Sequence, residues 1–125
     1  MTTIKSKSDT RLIVDVTFNG KQIPMLVDTG ATVALVSDRL HGLHIDKKRK
    51  RVNIQGAGGE LDGRICSDWF YLCGKPMAQF VRADISNIQE NIRRETGIKI
   101  EGVIGLTQMR MTCMEIDVMA NEIKI

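Results

Sequence analysis

At 125 residues the chain is long enough for one hydrophobic core and too short for two lobes. Its 42% hydrophobic content and mean hydropathy of −0.11 are those of a globular protein, and no apolar run approaches the roughly 20 residues of a spanning helix. A net charge of +3 with 4% aromatic residues weakens any surface built on base stacking, so neither a nucleic-acid nor a membrane partner is expected.

Three cysteines, Cys66, Cys73 and Cys113, make an odd count without the paired spacing of a zinc site, and the two histidines are not near them. Free thiols in a reducing compartment follow, with Cys66–Cys73 pairing across a hairpin as the option for an exported chain. Met1 to Thr10 is polar, of mixed charge and without an apolar signal core. It is expected as a flexible segment (residues 1–10) ahead of a single domain over 11–125, in a cytoplasmic protein or one whose leader has been removed.

Leu12, Val14 and Val16 alternate with polar residues, which predicts a half-buried strand over Arg11 to Thr17. Asn19-Gly20 is a hairpin turn signal, and Gln22 to Val27 returns as the partner strand. That strand delivers Asp28, at the head of Asp28-Thr29-Gly30-Ala31-Thr32, between the apolar runs Met25 to Val27 and Val33 to Val36. An ionised carboxylate in such a setting is costly. Either Asp28 sits at a turn tip in water or the fold holds it there for chemistry. Gly30 lets backbone N–H groups approach the carboxylate, and Thr29 offers a hydroxyl beside it.

Ser37 to Leu43 suggests a helical turn. Lys47 to Arg51 is a basic run that reads as a solvated loop or edge strand, with a nucleic-acid patch or localisation signal as alternatives. After a strand over Val52 to Gln55 comes Gly56-Ala57-Gly58-Gly59. No Lys-Ser/Thr pair or helix pattern follows, which disfavours a phosphate loop against a mobile hairpin tip or an ordinary glycine turn. Arg64 to Leu72 reads as one long strand, with Ile65, Trp69 and Tyr71 packing and Phe70 as a further candidate. Cys73 to Pro76 reads as a turn and Gln79 to Ile85 as a strand. Ser86 to Gly97 carries the one full helix signature: Ser86 as N-cap, Gln89 completing a capping box, Ile88 and Ile92 on one face, Gly97 as the stop. Thr107 to Met111 reads at most as a further short helix. Cys113 to Val118 and Ile123 to Ile125 close the chain as a hairpin around Ala120-Asn121. The methionines clustered after position 108 read as adaptable core or interface filler.

Leu26-Val27-Asp28-Thr29-Gly30-Ala31-Thr32 resembles the active-site loop of the retropepsin-like aspartic proteases, the single-domain relatives of pepsin. Gly102-Val103-Ile104-Gly105 resembles the second element of that family, two apolar residues followed by glycine, in the strand that crosses beside the loop. Gly56 to Gly63 matches in order and composition the glycine-rich flap that follows the loop. Three departures accompany the match: Leu106 replaces an arginine of retroviral members, Leu106 to Met109 stands where bacterial relatives often have an Asp-Phe-Leu type segment, and Ala34 replaces a hydroxyl residue common among relatives.

The resemblance implies a mainly β fold, a closed acid-protease barrel of six or more strands with one short helix at about 86–97. It implies an aspartic endopeptidase with no metal and no organic cofactor. Two carboxylates sharing one proton would activate water, one as base and one as acid. Only one Asp-Thr-Gly is present, so the resemblance implies a homodimer with Asp28 from each copy. Thr29, Gly30 and Ala31 would support the loop, and Gly56, Ala57, Gly58 and Gly59 would close over a peptide or protein substrate. Val103 and Ile104 would line apolar subsites. A non-catalytic peptide-binding or dimerisation domain of the same fold is the alternative.

Overall fold

The computed structural model describes residues 1–44, 51–56 and 59–125. In chain order these form β1 (Thr3–Lys5), β2 (Ile13–Phe18), β3 (Lys21–Val27), β4 (Ala34–Ser37), β5 (Arg51–Gly56), β6 (Gly59–Ile65), β7 (Phe70–Leu72), β8 (Lys75–Met77) and β9 (Phe80–Ala83). The helix α1 (Ser86–Thr96), β10 (Gly102–Ile104), the helix α2 (Leu106–Met111), β11 (Glu115–Asp117) and β12 (Glu122–Lys124) follow. The molecule is mainly β. Its larger sheet runs β5-β6-β9-β4-β10-β3-β2-β7-β8, and a smaller one runs β1-β12-β11.

The Asn19-Gly20 signal gives the hairpin it predicts. Both residues have positive φ (50° and 76°), and β2 and β3 pair from Phe18↔Lys21 to Ile13↔Leu26. This primed-turn geometry matches the twist of the strands it joins. The centre of the sheet explains the apolar runs. On β2, β3, β4 and β10, alternate residues feed two cores, one on each face. Val14, Val16, Met25, Val27, Ala34, Val36 and Ile104 pack on one side. Ile13, Leu26, Leu35 and Val103 pack on the other. A strand covered on both faces reads as a continuous hydrophobic stretch. The first core also holds Phe70, stacked on Phe18 (ring centroids 4.7 Å apart) and tilted against Phe80 (4.6 Å). The second is closed by α1 through Ile92, with Ile85 and Ile100 beside it.

Several elements depart from the sequence expectation. The large sheet is a curled half-barrel with β5 and β8 at its two edges, where a closed barrel is predicted. The described residues hold two helices: Leu106–Met111 forms a short one behind Gly105, where the sequence reads a further short helix over Thr107 to Met111. Ser37 to Leu43 forms turns without a helix. Arg64 to Leu72 is not one strand: it breaks after Ile65, where Cys66 N–H bonds Phe80 O (2.7 Å). The alternation restarts at Phe70, so Phe70 and Leu72 are buried while Ile65, Trp69 and Tyr71 face outward. Lys75 and Pro76 belong to β8, leaving Cys73-Gly74 as the turn.

Helix α1 begins at Ser86, but Ser86 does not cap it. The side chain of Asp84 accepts the Ser86 N–H (3.0 Å), and Gln89 donates to Ile100 O (2.8 Å) instead of closing a capping box. Gly97 ends the helix as predicted, its N–H bonded to Arg93 O (2.8 Å). Within residues 1–10, expected to be flexible, Thr3–Lys5 is strand β1, paired with β12 from Thr3↔Lys124 to Lys5↔Glu122. Residues 47–50 of the basic run, with 45 and 46 before them, lie outside the described residues, and Arg51 opens β5.

Candidate active site

The Asp28 loop leaves the sheet where three strands converge. β10 lies between β3, with which it is parallel (Ile104↔Val27), and β4, with which it is antiparallel (Val103↔Leu35). The loop bridges the ends of β3 and β4 over the end of β10. Asp28 N–H donates to Ile104 O (3.1 Å), and Ala31 N–H closes a turn onto Asp28 O (3.1 Å). Leu106 N–H, past the end of β10, donates to Ala31 O (3.0 Å). The loop backbone is thus anchored at both ends to the Gly102–Leu106 segment.

Two glycines make this approach feasible. A Cβ on Gly105 would stand 2.8 Å from Ala31 O, 3.2 Å from Ala34 N and 3.3 Å from the Val33 carbonyl carbon, all backbone atoms. A Cβ on Gly102 would meet Leu35 O at 2.6 Å. The recurring glycines of the second motif are therefore contact points between backbones. Gly30 acts on the carboxylate itself: its N–H donates to Asp28 Oδ1 (2.9 Å), and a Cβ there would press on the same oxygen at 3.2 Å.

Asp28, Thr29 and Gly30 are exposed and Ala31 is half-buried, so the loop presents its acid outward from a buried base. Val103 and Ile104 do not. Both are core residues, 4% and 0% exposed, on opposite faces of the central strand. Ile104 also offers its carbonyl oxygen to the Asp28 N–H at the base of the loop. Gly56 and Gly59 pair as the last rung of the β5–β6 hairpin. Ala57 and Gly58, between them, lie outside the described residues.

One charged neighbour of the loop is not singled out by the sequence. Arg11, before β2, makes a two-pronged ion pair with Glu95 of α1 (Nε–Oε2 2.7 Å, second guanidinium nitrogen to Oε1 3.2 Å). That bond, and more weakly the charge of Asp28, raises the arginine further above its ordinary value. Glu95 also accepts from Thr10 Oγ1 (3.2 Å). In the sequence Arg11 is only the polar start of a strand, and its partner is remote.

A Cys-Asp-His group lies elsewhere. Asp68 Oδ2 accepts both Cys66 Sγ (2.9 Å) and the backbone N–H of His44 (2.9 Å), and His44 Nδ1 is 3.5 Å from Asp68 Oδ1. Burial, and then the hydrogen bond to Asp68, push the Cys66 thiol up to about 12. A thiol held protonated is no nucleophile. Cys66, Cys73 and Cys113 are all free, Cys66 buried and the others exposed. Among the described residues, no group of three or more His, Cys, Asp or Glu is arranged to hold a metal ion. No helix among them is long and apolar enough to cross a membrane.

The family model described as aspartyl protease matches residues 14–107, from β2 into α2. The chain belongs to the aspartyl protease family, of retropepsin-like type. That match spans Asp28, both glycine motifs and the β5–β6 hairpin. No curated protein matches the sequence. For a member of this family, hydrolysis of peptide substrates is the coarse function.

Proposed function

We propose that this aspartyl protease is an endopeptidase completed by a second copy of itself, in which Asp28 and its mate form the catalytic dyad. The observation that carries the reading is the Asp28 loop: a carboxylate held by Gly30 N–H, exposed, and seated by Ile104 and Leu106 on the strand between β3 and β4. General acid–base hydrolysis of an amide needs two carboxylates sharing a proton, so that one activates water while the other protonates the carbonyl oxygen. The chain carries one Asp-Thr-Gly. A two-fold axis beside the loop supplies the second acid without any further sequence.

In this reading Thr29 links the two loops and the backbone around Gly30 faces the substrate. The β5–β6 hairpin, with Gly56 to Gly59 at its tip, covers an extended peptide as an added strand. The pair titrates as a unit, so the pH profile of cleavage is bell-shaped.

The test is Asp28→Asn. It removes the proton-sharing acid while keeping the side-chain oxygen that Gly30 N–H bonds. Cleavage of a peptide library should fall by at least ~1,000-fold with an unchanged circular dichroism spectrum and Tm, in line with loss of a member of a catalytic unit. Cleavage at wild-type rates by the variant would overturn the assignment.

A further inference from the structure

The foot of the β5–β6 hairpin carries an arrangement that the protease reading does not use. Arg51 on β5 is directly opposite Arg64 on β6, and Arg64 is directly opposite Arg82 on β9. Three arginines therefore stand in one row across three adjacent strands. Directly paired residues point to the same face with Cβ atoms about 5 Å apart, and like charges so placed repel. All three line one cavity of about 330 Å³, together with Asp38, Asp62, Gly63 and Ala83.

Two carboxylates face this row. Asp38 follows β4, with its N–H bonded to Ala83 O (2.9 Å). Asp62 accepts from Asn53 Nδ2 (2.9 Å), which turns one of its oxygens to a neutral partner. Among the lining residues the count is three positive charges to two negative ones. Among the described residues, Arg51 and Arg82 take part in no ion pair. An oxyanion beside this row offsets the repulsion and gives the forks of Arg51 and Arg82 a bidentate acceptor.

We propose that this cavity is a binding site for a small oxyanion, a carboxylate or a phosphate group, held by Arg51 and Arg82 with the charge of Arg64 between them. The site is distinct from the Asp28 loop, since Asp38 and Arg82 stand at the far end of β4 and β9 from Ala34, where that loop enters. A ligand here ties β5, β6 and β9 together at the base of the hairpin.

The test is titration of the full-length protein with sodium phosphate and, separately, sodium acetate, at constant ionic strength in chloride. Binding is read from NMR shifts of the arginine Nε–H groups and from Tm. Saturable shifts at Arg82 with either anion are expected, and whichever of the two binds more tightly identifies the natural group as phosphate or carboxylate. Arg82→Gln should weaken that binding roughly tenfold or more, as loss of a charge-assisted bond predicts. Arg82→Lys, which keeps the charge, should weaken it less. Asp62→Asn, which removes a competing negative charge, should tighten it. Shifts that track ionic strength alone, or equal affinity in wild type and a folded Arg82→Gln, would overturn the proposal. The Asp28→Asn variant should bind the anion normally, so the two sites are judged independently.

Discussion

Gly105→Ala is the perturbation that most directly probes how the loop is seated. Gly105 has φ −104°, a value any residue adopts, so the substitution brings no backbone strain of its own. Its effect is entirely the contact of one methyl group. That methyl would lie 2.8 Å from Ala31 O, several tenths of an ångström inside ordinary contact, and its other neighbours are backbone atoms of Val33 and Ala34. None is the free end of a side chain that can swing away. Either β10 and the loop separate or the Leu106 N–H to Ala31 O bond, 3.0 Å long, is stretched. Overpacking of this sort costs about 1–3 kcal/mol, and a weakened hydrogen bond adds about 1 kcal/mol. For a domain of this size the Tm should fall by roughly 10 °C. Because the displaced atoms carry Asp28, cleavage measured well below the variant's Tm should also fall, by roughly 10- to 100-fold. Gly74→Ala is the control. Gly74 has φ +79° with nothing within 4 Å of its Cβ, so Ala there costs about 1–2 kcal/mol of backbone strain and leaves cleavage unchanged. A Gly105→Ala protein with native Tm and native cleavage would refute the close-approach account of the second glycine motif.

Two further outcomes follow from the charges and thiols. Arg11 holds the Glu95 carboxyl below its ordinary value of 4.5, so this pair stabilises the fold fully above that value and progressively less as pH falls through the lowered one. The Tm difference between wild type and Glu95→Gln should therefore be largest at neutral pH and shrink as the pH falls below 4.5; a gap that widens in acid would contradict the pairing. At pH 8 a disulfide-exchange reagent should modify the exposed Cys73 and Cys113 quickly, and Cys66 only when the protein is denatured, because burial and Asp68 keep that thiol protonated. Rapid modification of all three in the native state would show that the Cys66–Asp68 contact does not persist in solution.

What was legible in the sequence was what local chemistry decides. Asn19-Gly20 fixes its own turn. The apolar runs around Asp28 disclose central strands buried on both faces, and Gly97 ends a helix by geometry alone. Asp28 stood out because a carboxylate between two such runs needs a reason. The parts that were not legible are settled by distant partners. The break after Ile65 is made where Cys66 meets Phe80 and Asp68, so an unbroken hydrophobic pattern misleads about which side Trp69 and Tyr71 face. Gln89 looks like a capping-box residue until Ile100 O is found within its reach, and Asp84 then serves Ser86 instead. β1 lies among polar residues and is recruited only by β12 at the other end of the chain. The second motif can be recognised in the sequence; that its apolar pair, Val103 and Ile104, lies buried on the middle strand of the sheet comes only from the strand pairing. Arg51, Arg64 and Arg82 look like scattered surface charges in the sequence. Only the strand register aligns them.

The shared dyad is tested most directly by mixing wild-type protein with the Asp28→Asn variant at fixed total concentration, allowing the chains to exchange, and measuring peptide cleavage against the wild-type fraction. If each site needs an Asp28 from two chains, activity follows the square of that fraction, about one quarter at an equal mixture. Activity that falls in simple proportion, about one half at an equal mixture, would mean that one chain cleaves without a partner's acid.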